Sequence, residues 1–321
     1  VDEAHRLKNF ECKLICQLRQ LHTESRLLLT GTPLQNSLTE LWSLFDFVFP
    51  GKLGTLPMFQ QYWVTPISLG SYSSASKIAV NVAYRCASTL KETISPYLLR
   101  RLKCDVLPQM PKKTEEVLFC ALTSEQREMY QLFLTSGDMR MVRSGRRKLL
   151  FAIDYLRKVC NHPDLIGHPQ TFMAGQKWIA NMLKDAAHGS QASLLVSQCL
   201  NRSGKVVVLG QLLKVWKSQK HKVLVFCQTQ QMLNIVEVAM RYWEYSYMRM
   251  DGSTSVRQRT EMIDQFNSDP SIFVFILTTH VGGLGLNLTG ADHVVLVDPD
   301  WNPAVDEQAR ERVLRIGQKH A

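Results

Sequence analysis

From Lys205 onward, apolar and polar positions alternate between helical and strand-like spacing. Apolar residues recur at helical intervals from Lys205 to about Lys217, Val223 to Cys227 is a continuous apolar run, and helical spacing returns from about Met232 to Tyr242 and from Val256 to Phe266. Ile272 to Leu277 and His293 to Val297 are again short apolar runs. Such runs, bounded by turn residues, fit strands buried on both faces. Helices between them at βαβ spacing predict a parallel sheet covered on both sides.

The first half is less regular. Arg26 to Thr30 predicts a short buried strand running into the Gly31-Thr32-Pro33 turn, and Leu38 to Phe49 predicts a buried helix stopped by Pro50-Gly51. Residues 68 to 76 predict an exposed Ser/Gly loop before a helical stretch to about Leu99, and Pro108 and Pro111 mark an extended connector. Helices are predicted over Glu125 to Phe133 and Lys148 to Cys160. Residues 166 to 203 lack periodicity and form a candidate insertion. No solenoid-period repeat occurs. The expected division is residues 1–106, a first α/β lobe with a helical protrusion; 107–203, a linker with a helical insertion; and 204–321, a second α/β lobe.

The 321 residues are 45% hydrophobic and 21% charged, the composition of a globular chain with real cores, and no apolar stretch reaches the roughly 18 residues that span a bilayer. No membrane partner is expected. The chain opens without an initiator Met, so its true N-terminus is expected upstream. The eight cysteines show no disulfide-framework spacing, and Cys12, Cys16 and Cys160 read as helix-face residues rather than zinc ligands. Residues 204–321 hold 13 Lys+Arg against 12 Asp+Glu, so +9 of the net +10 lies in residues 1–203. Arg140, Arg143, Arg146, Arg147 and Lys148 are the densest cluster, either a polyanion-binding patch or a solvated face.

Asp2 and Glu3, after Val1 at a strand end, place adjacent carboxylates where a nucleoside triphosphate can meet them, Asp2 on Mg²⁺ and Glu3 on the attacking water. Thr30-Gly31-Thr32 offers a turn whose backbone and hydroxyls can approach phosphate, as does Gly252-Ser253, where a plain helix cap at Ser253 or Ser255 is the simpler alternative. Gln308, Arg312 and Arg315, at i, i+4 and i+7, share one face if helical.

Taken in order, these segments resemble helicase superfamily two in its Swi/Snf form. The resemblance rests on Asp2-Glu3-Ala4-His5, on Leu29-Thr30-Gly31-Thr32-Pro33-Leu34-Gln35-Asn36 with Glu40-Leu41-Trp42, on Pro96 to Val106, and on Leu156-Arg157-Lys158-Val159-Cys160-Asn161-His162-Pro163. It continues through Asp251-Gly252-Ser253-Thr254, Leu277 to Leu288, Asp298-Pro299-Asp300-Trp301-Asn302-Pro303 and Gln308 to Gln318. Phe49 to Pro57, Pro66-Ile67 and Gly70 to Ser73 look most like the Cockayne syndrome group B branch. The resemblance implies two RecA-like parallel-sheet lobes with helical insertions, and a nuclear, ATP- and Mg²⁺-dependent translocase on double-stranded DNA. For that branch it implies transcription-coupled repair at stalled RNA polymerase II, with nucleosomes as a further partner. By residue it implies Asp2, Glu3, Arg312 and Arg315 as catalytic; Gln308, Gly283 and Gly285 on ATP; and Thr30, Gly31, Thr32, Gly252, Ser253, Thr278 and Trp301 on DNA. Trp301 also reads as a buried anchor. Arg100, Arg101 and Lys103 read as a lobe-linking set or as DNA lining. Ala4, His280 and Val313-Leu314 depart from the family pattern.

No GxxxxGK[ST] occurs in these residues. The first lobe is therefore expected to be truncated, its phosphate cradle lying upstream, with ATPase activity belonging to the parent chain and the isolated piece hydrolysing little. A non-catalytic DNA- or partner-binding module on the same fold is the alternative. A DEAH-type RNA helicase fits less well, because Thr30-Gly31-Thr32-Pro33 and Arg312 to Gln318 differ from that group's motifs.

Overall fold

The structure, a computed structural model, describes residues 1–31, 37–101, 103–106, 113–166, 190–282 and 286–313. It divides into two compact units, Val1–Pro108 and Gln109–Ala321. The described residues 113–166 and 190–203 fall in the same unit as the parallel sheet.

In the first unit, helix α1 spans Lys13–Arg19, α2 Leu38–Val48 and α3 Lys77–Ile94. Apolar residues almost all round α2 bury it on two sides. Leu44 and Phe47 pack with Ala4, Leu7 and Ile15, and Trp42 packs with Phe59 and Leu90. Polar groups on this helix are paired: the buried Ser43 hydroxyl donates to the Leu7 carbonyl at 2.8 Å, and the Trp42 indole to Gly54 at 3.0 Å. A helical run over residues 56–70, with a π turn at Gln60–Val64, leads to α3. Gly70, the last residue of that run, lies so close to α3 that a Cβ there would sit 2.3 Å from that of Ala83.

Arg26 to Thr30 is extended and pairs with the segment beginning at Val1: Leu29 N donates to Val1 O and Ala4 N to Leu29 O, both at 2.9 Å. Leu27 and Leu29 are 72% and 52% exposed. The buried strand expected here is instead an uncovered ladder, because no other described segment packs on those two leucines.

In the second unit, α4 is Ser124–Thr135, α5 Gly137–Arg143, α6 Leu149–Asn161, α7 Ser190–Asn201 and α8 Gly204–Ser218. Then follow β1 Val223–Cys227, α9 Gln230–Tyr242, β2 Tyr247–Met250, α10 Val256–Ser268, β3 Val274–Thr278, β4 His293–Leu296 and α11 Pro303–Arg310. The four strands are parallel, in the order β2-β3-β1-β4, with Val223 opposite both Val274 and His293. Strand residues alternate between two cores. Val223, Val225, Val274 and Ile276 meet α7, α8 and α9, while Leu224, Phe226, Phe275 and Leu277 meet Phe266 of α10 and Ala309 of α11. The sheet is thus covered on both faces, as its unbroken apolar strands require.

Two elements differ from expectation. Part of the candidate insertion is core: Val196 and Leu200 of α7 are 1% and 4% exposed. The rest, 167–189, lies outside the described residues. Strand β2 was not expected, because Tyr-Met-Arg-Met alternates with a charged residue; it is an edge strand, paired on one side only.

Candidate nucleotide and DNA site

In the first unit the acidic pair opens the chain. Asp2 is exposed, and its Oδ1 accepts the Glu3 amide at 2.7 Å. Glu3 takes the left-handed conformation, φ 50° and ψ 48°, which costs a side-chain-bearing residue about 1–2 kcal/mol. His5 Nδ1 lies 3.4 Å from Glu3 Oε2. Held strain of this kind gathers where a side chain must be aimed. Two adjacent carboxylates offer the oxygen ligands a hard cation takes. Thr30 is half-buried and Gly31 exposed, with open space where a Cβ would stand, so a ligand can reach that backbone. Arg100 and Arg101 are exposed. Thr32, Gly283, Gly285 and Arg315 lie outside the described residues.

In the second unit the motif segments gather at the carboxyl ends of the strands. After β1 the chain turns at Gln228 into α9 on one face; after β3 and β4 it leads to residues that pack on the other. Opposed exits of that kind open a crevice where ligands of doubly wound sheets bind. At the end of β2, Asp251 fixes the turn: its Oδ1 accepts the Ser253 amide at 2.9 Å and the Ser253 hydroxyl at 2.6 Å. Arg249 grips Asp251 Oδ2 at 2.8 Å and also pairs with Glu237. These bonds outweigh the burial of Asp251 and hold its carboxyl below the ordinary range. Helix α10 is capped by Ser255 in a reciprocal box with Gln258, so Gly252 and Ser253 stand outside the helix, exposed.

Thr278 closes β3 and is buried, at 5% exposure. Trp301 is 67% exposed, so the buried-anchor reading of this residue does not hold. Its loop is nevertheless fixed: Asp300 Oδ1 accepts the Asn302 amide and Asp306 Oδ2 the Asp300 amide, both at 2.9 Å.

Gln308 is half-buried on α11. Arg312 lies beyond the end of that helix, not on it. The bonding tightens there to i→i−3, with Arg312 N on Ala309 O at 3.2 Å, and Leu288 N reaches Arg312 O. Arg312 is only 4% exposed, so the shared helical face expected of Gln308 and Arg312 is not the observed arrangement.

The SNF2-related domain family matches residues 1–165, and the helicase conserved C-terminal domain family matches residues 204–317. The chain belongs to the SNF2-related family. This SNF2-related chain is 50% identical over 318 residues to DNA excision repair protein CSB of Oryza sativa subsp. japonica, covering 99% of this chain and 25% of that one. It is 48% identical over 321 residues to DNA excision repair protein ERCC-6 of Homo sapiens, covering 99% and 21%. It is 47% identical over 324 residues to DNA repair and recombination protein RAD26 of Saccharomyces cerevisiae, covering 99% and 28%. The chain therefore spans about a quarter of these relatives' length.

Where the two family matches meet, the SNF2-related chain has a buried polar junction that the residue pattern did not reveal. Asp298, 3% exposed at the end of β4, accepts the Gln228 amide at 2.9 Å and Asn161 Nδ2 at 3.4 Å. Lys205 Nζ donates to Asn161 Oδ1 at 2.6 Å and to Val297 O at 2.8 Å. Burial pushes the Asp298 carboxyl up to about 6 and the Lys205 ammonium down. The one sequence signal for Asp298 is a carboxylate placed directly after an apolar strand. Lys205 carries none, since it reads as an ordinary first-turn residue of a helix. Nearby, His162 is buried with its Nδ1 accepting the Asp164 amide at 3.2 Å.

Proposed function

We propose that this chain supplies the second part of an ATP-dependent translocase acting on double-stranded DNA in transcription-coupled nucleotide excision repair, in the nucleus. The observation that carries the reading is the ordered pair of family matches, read together with about 50% identity to proteins named for DNA excision repair. Nucleosomes and stalled RNA polymerase II are the partners proposed for the whole protein.

Asp2 is the residue that would hold Mg²⁺, whose charge polarises the triphosphate when bound. Glu3, aimed by its left-handed backbone, orients the attacking water and takes its proton. Arg312 and Arg315 meet the charge that develops on the γ-phosphoryl group, because guanidinium stays ionised and forks onto phosphate oxygens. Gln308, Gly283 and Gly285 line the nucleotide. The turn at Thr30, Gly31 and Thr32 tracks the DNA backbone together with Gly252, Ser253 and the Thr278 strand end, and the exposed Trp301 ring meets the same track.

ATP turnover by the full-length protein, measured with duplex DNA, single-stranded DNA and RNA, tests the reading. Duplex DNA is expected to stimulate most, and Glu3→Gln to reduce the stimulated rate by about 10²-fold or more. Strongest stimulation by RNA, or a Glu3→Gln rate equal to wild type, overturns it.

A further inference from the structure

The amino ends of β1 and β4, the end of the sheet opposite the candidate site, bring together two imidazoles and a carboxylate. His221 Nδ1 lies 2.6 Å from Asp292 Oδ2, and His293 Nδ1 lies 3.0 Å from Asp292 Oδ1. One ligand atom from each of the three falls within 4.8 Å of the others. The two imidazole centroids are 4.4 Å apart, and Trp216 flanks His293 at 4.6 Å.

The sheet fixes this group. The Lys222 amide donates to Asp292 Oδ1 at 3.0 Å, while the amides of Asp292 and His293 both donate to the Lys222 carbonyl, at 3.1 and 3.2 Å. The Asp292 side chain is 10% exposed, but those of His221 and His293 are 34% and 27% exposed, which leaves an approach from solvent. Lys220 and Lys222 flank His221 in sequence, and the Lys222 ammonium is engaged elsewhere, on the carbonyls of Phe266 and Asp269.

We propose that His221, Asp292 and His293 bind one divalent transition-metal ion of the zinc class, through the two Nδ1 atoms and one carboxylate oxygen, with water completing the shell. Two imidazoles and a carboxylate are a ligand set such ions take, with an open fourth position. All three ligand atoms already lie within 4.8 Å of one another, and bonds of about 2.0–2.2 Å in tetrahedral array set ligand atoms about 3.3–3.6 Å apart, so the 2.6 and 3.0 Å contacts open by about 1 Å or less. Rotation of the partly exposed imidazoles supplies that. The ion would clip β1 to β4, roughly 16–20 Å along the chain from Asp298 at roughly 3.3 Å per residue, and so act on the stability of the second unit rather than on chemistry at the other end. The other His-Asp-Cys grouping, His162 with Asp164 and Cys199, is already satisfied: Asp164 pairs with Arg202, and burial holds the Cys199 thiol protonated.

Titration of the full chain with Co²⁺, followed by visible absorption, tests this. One equivalent is expected to bind without a thiolate-to-cobalt charge-transfer band, because no cysteine is among the ligands, and Zn²⁺ is expected to displace it. His293→Gln and His221→Gln should each weaken binding at least tenfold; His221 lies outside the strands, so its variant keeps the test sound if the His293 variant misfolds. Zn²⁺ should raise the melting temperature of the wild type and leave the His221→Gln value unmoved. Failure of the wild type to bind, a thiolate band, or affinities untouched by both substitutions overturns the proposal.

Discussion

At the scale of single residues, the tightest constraint is a missing side chain. Gly204, the first residue of α8, lies where a Cβ would stand 2.0 Å from the backbone carbonyl oxygen of Ala121. Alanine favours a helix over glycine by at most about 1 kcal/mol, and less in the first turn. A backbone atom cannot swing aside as a side chain can, so the clash wins. Gly204→Ala is expected to lower unfolding stability by about 1–3 kcal/mol, the usual cost of overpacking, measured by urea titration. An unchanged or raised midpoint would show that the neighbouring segment yields freely. Trp301 is the opposite case. At 67% exposure it makes little packing contribution, so Trp301→Ala should alter stability by no more than about 0.5 kcal/mol. If the ring meets DNA, the same variant loses duplex-stimulated ATP turnover in the full-length protein. Loss of both stability and stimulation would assign the ring a packing role instead.

At the scale of elements, α10 carries the clearest local instruction. Ser255 accepts the Gln258 amide at 3.4 Å while Gln258 Oε1 accepts the Ser255 amide at 3.3 Å, a reciprocal cap that sets where the helix begins and leaves Gly252 and Ser253 outside it. Ser255→Ala removes the acceptor and is expected to cost about 0.5–2 kcal/mol, with Ser255→Asp recovering most of it, read from thermal melts. Caps and unbroken apolar strands are short-range signals, which is why α8, α9, β1 and β3 were legible in the sequence to within about two residues. Elements decided by distant partners were not. Tyr247–Met250 is a strand because β3 offers it an edge and because Glu237, on α9, pairs with Arg249. Leu27 and Leu29 look like core residues locally, yet nothing described covers them. The spacing of Gln308 and Arg312 promises one face only if the helix persists to Arg312, and it ends at Arg310. Among the site residues, the chain's turns and strand ends could be placed from the sequence; the Asp298 junction could not, since its members come from four separate segments.

At the scale of the whole molecule, that junction is where α6 and the parallel sheet are fastened together within the second unit, and it is fastened through ionisable groups. Asp298 has its carboxyl raised from 3.8 to about 6, chiefly by burial, against the pull of the Gln228 amide, Lys205 and Arg157. A carboxyl with a raised folded-state pKa binds its proton more tightly folded than unfolded. Its favourable contribution is therefore complete below about pH 4 and is lost as pH rises through about 6. At about 1.4 kcal/mol per pH unit the span is worth about 3 kcal/mol. Asp298→Asn keeps an acceptor for the Gln228 amide and cannot ionise, so it should remove that loss. The attraction for Lys205 arises only when Asp298 ionises and is already contained in its raised pKa. Near pH 4 Asp298 is protonated in the wild type as well, so Lys205 then has a neutral neighbour in both chains, and the two diverge only as Asp298 ionises. Urea unfolding at pH 4.5, 5.5 and 6.5 is therefore expected to show the variant gaining on the wild type as pH rises, whatever their order at pH 4.5. Parallel curves would mean that Asp298 ionises as freely in the fold as outside it, and that the junction is held by its hydrogen bonds alone.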